Sequence, residues 1–309
     1  MFVGNLINEK QDYFTYPGRV DGFKKWKPIV TAIIGVIIFF IFSGVVPAII
    51  GFVGALNGHD FTDIIASFKG GYDTMDNYTF LGVFLNMGII AAMIPALFLA
   101  MKITKERPFH TLISSRDGWN SSFFKKGLII ALIVNGIPQV VFAAMEGGFS
   151  HINIRYTIPG FILFVILVPF QCIAEEFVFR GYIGQTVSTW LKNPIIGIVV
   201  STILFTIVHP YNTVGKIFVF FTGLTLAFAV KYTKGLEVSC ALHTVNNFFS
   251  FLLSGIGANP ISSQVKTSDL IQELIINIVF FALVIIMDKK KNWFAGSDGS
   301  VATEESSAS

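Results

Sequence analysis

The chain has 309 residues, 53% of them apolar and only 13% charged, with a mean hydropathy of +0.68. Soluble domains carry about 25% charged residues, so the composition excludes an ordinary soluble domain and indicates an all-α polytopic membrane protein. The net charge of +3 says little as a total; where the charges fall says more.

Residues 1–28 are polar and aromatic and carry Lys10, Arg19, Lys24, Lys25 and Lys27. The apolar run that follows is too long for a signal-peptide core and lacks a cleavage site, so it is expected to stay in the membrane. A span needs about 20 mostly apolar residues. Eight segments qualify: 29–51, 79–101, 127–145, 158–183, 194–209, 214–230, 236–253 and 270–287. The fifth and sixth are short, and the seventh contains polar groups. Pro47, Pro95 and Pro138 are expected to kink their helices.

Loop charge supports the count. The N-terminal segment, the second loop (Lys102, Lys105, Arg107, Arg116, Lys125, Lys126), Lys192, the pair Lys231 and Lys234, and the flank Lys289–Lys291 are basic. The alternate loops hold one cation each (Lys69, Arg155, Lys216, Lys266), and the first also holds Asp60, Asp63, Asp73 and Asp76. The positive-inside rule then puts both termini in the cytoplasm, which requires an even number of spans. The expected organisation is a cytoplasmic segment (1–28), three helices with loops (29–157), a core of four helices (158–253), a last helix with flanks (254–291) and a disordered tail (292–309). No repeat, phosphate loop or nucleic-acid patch is present; the lysine clusters fit topology and lipid headgroups.

The fourth segment contains Ala174-Glu175-Glu176-Phe177-Val178-Phe179-Arg180. Charges within a membrane span are expensive, and they persist where they face a bundle interior or a wet cavity. Glu176 and Arg180 are spaced i,i+4 and can pair on one helix face. Glu175 is rotated away from that pair and is free to face a cavity, where it suits a general base. A Glu–Arg pair that merely clamps helices needs no second glutamate.

Two later segments add Phe205-x-x-x-His209 and His243-x-x-x-Asn247. Each alone fits helix packing; together they suggest a site. Two mechanisms use this set. Glu175 and His209 activate a water while His243 and Asn247 steady an oxyanion, or Glu175, His209 and His243 hold a divalent metal such as zinc. The zinc-protease helix signature His-Glu-x-x-His is absent. Cys240 lies three residues before His243, but a buried cysteine is normally inert; Cys172 and Cys240 read as free thiols. His59, His110 and His151 fall in loops.

Glu-Glu-x-x-x-Arg, Phe-x-x-x-His and His-x-x-x-Asn, on separate spans in this order, resemble the CAAX prenyl protease and bacteriocin-processing family, which includes the eukaryotic Ras-converting endopeptidase and bacterial Abi-type proteins. The resemblance covers roughly 161–249. It implies an intramembrane endopeptidase with Glu175 and His209 as the water-activating pair, His243 and Asn247 as the oxyanion hole, and Glu176, Arg180 and Phe205 as supports. A metal-independent glutamate mechanism is favoured, because only two histidines are at hand. The implied partners are lipids and a membrane-associated or lipidated peptide, or a bacteriocin or pheromone precursor, in a bacterial plasma membrane with no nucleic acid. A non-catalytic immunity or scaffold protein and a proton-coupled transporter are the other readings; oligomeric state is not legible.

One tension follows from depth. At 1.5 Å rise per residue, Glu175 and His243 lie about 12 Å from the inner ends of their spans and His209 about 22 Å. Convergence therefore requires the fifth helix to tilt or to begin lower, near Val187, with 190–193 helical and outside the hydrocarbon.

Overall fold

The structure, a computed structural model, describes residues 12–56, 77–116, 118–259 and 261–294. The acidic first loop with His59, the first eleven residues and the tail from 295 lie outside them. Among the described residues the secondary structure is helical, with no strand beyond one isolated bridge between Ser114 and Gly235. Helices cover all eight expected segments: α1 Lys27–Leu56, α2 Phe80–Thr104, α3 Ser121–Met145, α4 Ile158–Leu191, α5 Pro194–Ile207, α6 Thr213–Thr233, α7 Glu237–Gly255 and α8 Thr267–Lys291. Six of these, all but α5 and α7, are long and apolar enough to cross a membrane by length and composition, making this a multi-pass membrane protein.

The helix starts are set by short polar side chains that accept from otherwise unpaired backbone N–H groups. Thr79 serves α2, Asn120 α3, Thr157 α4, Asn193 α5 and Asn212 α6. Four helices end on a residue in the left-handed region, Lys105, Lys192, Lys234 and Asn292, each reversing the chain sharply.

α7 is the central element. It packs on α3, α4 and α6, while α6 is also flanked by α5 and α8. Every residue from Glu237 to Val245 is buried. This explains its weak hydropathy: its surroundings are protein, so polar side chains find partners there instead of lipid. α1 is peripheral and packs chiefly on α2, with Ile33, Ile37, Phe40 and Phe52 outward. Its exposed apolar face is what a lipid-facing helix requires.

Three helices contain wider π turns, Phe84–Gly88 in α2, Leu132–Gly136 in α3 and Phe177–Gly184 in α4. α2 also breaks at Ala92. Pro95 and Pro138 sit just after such irregular turns. A proline has no N–H for the carbonyl four residues back, so the preceding turn is relaxed.

The 34 residues of α4 span about 51 Å, more than a hydrocarbon core of about 30 Å. Its C-terminal end is tied to the N-terminal segment. The Gln185 amide donates to Tyr13 O at 3.1 Å, and the Trp190 indole to Lys25 O at 2.9 Å. Tyr13 and Phe14 are fully buried, and Asp12 forms a buried ion pair with Lys231. Burial pushes the Tyr13 phenol well above its usual range, so it stays a donor, to Leu112 O at 2.5 Å.

Two expectations are corrected. The fifth helix does not begin near Val187: α4 runs through Trp190 to Leu191, and α5 starts only at Pro194 after the left-handed Lys192. The tail is placed as far as Phe294, which is buried against Phe123 at 5.2 Å between ring centroids.

α5 docks on α4 through Gly197. A Cβ there would meet Ser188 Oγ at 1.9 Å and Gly184 O at 2.5 Å. Gly197→Val should therefore lower stability by about 1–3 kcal/mol, the usual cost of overpacking. The thermal midpoint of purified protein in detergent checks this; an unchanged midpoint would mean the helices are not packed this closely.

Candidate active site

Glu175 and Glu176 lie in the regular turn of α4 directly before the chain widens into the π turn that carries Arg180. All three side chains are buried. Glu176 Oε1 accepts from Arg180 Nη1 at 2.9 Å. The guanidinium also donates to Gly223 O of α6 at 3.1 Å and stacks over the Phe205 ring at 4.3 Å. The crossing at Gly223 is tight: a Cβ would sit 3.0 Å from Thr202 Cγ2 and 3.3 Å from both Arg180 Nη2 and Phe205 Cδ1.

His243 of α7 reaches both glutamates. Its Nδ1 donates to Glu176 Oε1 at 2.9 Å, and its Nε2 lies 3.2 Å from Glu175 Oε2. The second contact is close but lacks hydrogen-bond angles. An ionised carboxylate only accepts. The ring therefore needs a proton on Nδ1, and a repulsive meeting of lone pairs at Nε2 is avoided only with one further proton on Nε2 or on Glu175. With His243 as imidazolium, the four groups Glu175, Glu176, His243 and Arg180 sum to zero charge.

His209 stands two residues past the end of α5. Its Nδ1 lies 2.6 Å from Phe205 O. A carbonyl accepts, so Nδ1 carries the proton and, in the neutral ring, Nε2 carries the lone pair. Phe205 joins the two imidazoles: its ring centroid lies 4.5 Å from that of His209 and 5.9 Å from that of His243. His209 and Glu175 also interact electrostatically. α5 ends at Ile207, and the side chain of His209 beyond it folds back over Phe205.

Asn247, one turn beyond His243, donates from Nδ2 to Gln171 Oε1 at 3.1 Å. Gln171, buried one turn before Glu175, escaped the sequence reading, although a lone polar residue at i−4 from a glutamate on an apolar helix was a usable signal. The Gly223 carbonyl had no signal, since any residue supplies one. Cys240 is buried in an apolar cluster with Tyr13, Leu112 and Val230. His110 and His151 are exposed.

Of the alternative metal set, Glu175 Oε2 and His243 Nε2 stand 3.2 Å apart, while His209 lies across the Phe205 ring. Among the described residues no group of three His, Cys, Asp or Glu side chains is placed to hold a metal ion.

The fold and site define a multi-pass helical membrane protein with a buried carboxylate–imidazole centre. Residues 157–249, which contain every residue of that centre, match the Rce1-like family model, described as type II CAAX prenyl endopeptidase. The chain is also similar to the uncharacterized protein YyaK of Bacillus subtilis (strain 168), 28% identical over 177 residues, 54% of this chain and 59% of that protein. The match thus spans well under two thirds of that relative. No solved structure matches the chain.

Removing one partner of a buried ion pair leaves an uncompensated charge and costs about 3–5 kcal/mol. Arg180→Met should therefore sharply reduce the yield of folded protein, and adding Glu176→Gln should restore part of it. Size-exclusion profiles of the single and double variants decide; equal yields for wild type and Arg180→Met would show that the pair carries no such burden.

Proposed function

We propose that the protein is an intramembrane endopeptidase that hydrolyses peptide bonds by a glutamate-dependent, metal-independent mechanism. The observation that carries this reading is His243 held between Glu175 and Glu176, with His209 across Phe205 and the Asn247 amide one turn away. The match of 157–249 to a peptidase family supports it.

Glu175, assisted by His209 Nε2, takes a proton from water as the oxygen attacks the peptide carbonyl carbon. Negative charge then develops on the carbonyl oxygen. His243 Nε2–H and an Asn247 N–H are the donors for that oxyanion, and fixed donors in a dry site are worth far more than in water. The tetrahedral intermediate collapses with C–N cleavage, and the proton taken from water passes to the leaving amine. Glu176 orients His243, and Arg180 balances the second carboxylate. Two acidic groups can thus sit side by side while only one does the chemistry.

The substrate class is a membrane-associated or lipidated peptide, or a peptide precursor such as a bacteriocin or pheromone, processed for maturation or self-immunity in a bacterial plasma membrane. All eight helices cross or enter the bilayer, α5 and α7 included, with both termini cytoplasmic. The supports are the basic residues at the inner ends, Lys105, Lys192, Lys234 and Lys289–Lys291, and the bacterial source of the relative.

The test incubates wild type and Glu175→Gln in detergent with a library of membrane-anchored peptides, with and without a strong chelator, and reads cleavage by mass spectrometry. Wild type should cleave in both conditions. Glu175→Gln should lose about 10³-fold or more in rate, as expected when a catalytic base is removed. Cleavage that a chelator abolishes and zinc restores would replace the metal-free mechanism. Equal cleavage by both proteins would remove Glu175 from its role.

A further inference from the structure

Behind Asn247 a row of polar side chains runs through the bundle to α3. The Ser250 hydroxyl donates to Gln139 Oε1 at 3.1 Å, and Gln139 Nε2 donates to Asn135 Oδ1 at 2.6 Å. Asn135 Nδ2 donates to Asn246 Oδ1 at 3.2 Å, and Asn246 Nδ2 to Asn247 Oδ1 at 3.3 Å. Asn247 Nδ2 then donates to Oε1 of Gln171, which stands one turn before Glu175 on α4. Five amides follow one another head to tail across three helices.

We infer that Gln171, Asn246, Asn135 and Gln139 are positioning residues that hold Asn247 with its NH₂ group turned into the site. This rests on Glu175 and Asn247 having the roles given above. The direction of the row follows from its end: Gln171 Oε1 accepts from the Cys172 thiol at 3.4 Å as well as from Asn247, so its carbonyl oxygen is the end that Asn247 meets. Asn247 must then offer an N–H to Gln171, and its own oxygen faces Asn246. The second N–H of Asn247 is left for a substrate oxyanion. Were the Asn247 amide flipped, its oxygen would meet Gln171 Oε1 lone pair to lone pair, and the site would present an acceptor to the developing anion. Each link fixes the next, and such chains polarise cooperatively.

The far anchor is built into the fold. Asn135 is fully buried and lies on the π turn of α3. The next residue, Gly136, lets α3 approach α7 so closely that a Cβ would meet the Phe249 ring at 2.7 Å. Gln139 is held twice, to Asn135 and to Asn246 O at 3.3 Å. Asn135 and Gln139 lie outside the matched segment 157–249, so α3 adds supports from beyond the match.

Ordinary polar glue between helices would also stabilise the bundle, so the test separates glue from a directional chain. Asn135→Leu and Gln171→Met, alone and combined, are compared with wild type by thermal unfolding in detergent. Among the described residues, the hydrogen bonds that join the two run through Asn246 and Asn247. A chain broken once gains little from a second break, so the double variant should lose clearly less than the sum of the single losses; independent sites would add. Additive midpoints overturn the proposal. Should Asn135→Leu fail to fold, Asn135→Ser, too short to bridge to Asn246, replaces it.

On a membrane-anchored peptide that wild type cleaves, Asn135→Leu should lower kcat about tenfold with KM within about twofold, as expected for lost positioning. An unchanged kcat likewise overturns the proposal. If wild type cleaves nothing, the peptidase reading falls, and the thermal comparison still decides whether the chain exists.

Discussion

Burying two adjacent carboxylates inside a helix bundle requires two matched positive charges, and the arrangement of the inner helices follows from that demand. An isolated ion in a low-dielectric interior costs several kcal/mol even after relaxation. Here Glu176 takes Arg180 from its own helix and His243 from α7, while Glu175 shares His243. The cancellation is local, within one cluster of ion pairs. The guanidinium is in turn spread over a ring face and a backbone carbonyl of α6. Four helices, α4, α5, α6 and α7, are thereby drawn to one point.

That demand explains the character of α7. A helix carrying Glu237, His243, Asn246 and Asn247 would be a poor lipid-facing span. Placed at the centre it satisfies each group internally. Glu237, at its first turn, accepts from Arg116 and from the Asn120 backbone, each at 2.8 Å. His243 takes the glutamates, and the two asparagines join the amide row. The helices around it present apolar faces outward, which is the inverse of a soluble bundle. Small residues at the crossings, Gly136, Gly197 and Gly223, let backbones approach closely enough for side chains from different helices to meet.

The irregular turns belong to the same logic. The wider turn in α4 begins directly after Glu176 and carries Arg180, and the one in α3 carries Asn135. Such turns frequently occur at functional sites because they shift a side chain off the regular helical register. The N-terminal segment has a supporting part, tying the overlong end of α4 to α6 through Gln185 and the Asp12–Lys231 pair.

The amino-acid sequence by itself determined the helical segments, because hydrocarbon permits few alternatives and a run of apolar residues long enough to span it is plain to read. It determined the Glu176–Arg180 pair too, since i,i+4 spacing on one helix is local geometry. The order of the three polar motifs pointed to a common site. What only the tertiary structure decided is how those motifs meet. His243 goes to both glutamates instead of standing free beside Asn247, His209 reaches the site by folding back past the end of α5, and Gln171 with the α3 amides stands behind Asn247. These contacts join residues many positions apart on different helices. Their partners are fixed by crossing geometry and by which neighbour can donate or accept, and no spacing along one helix encodes that.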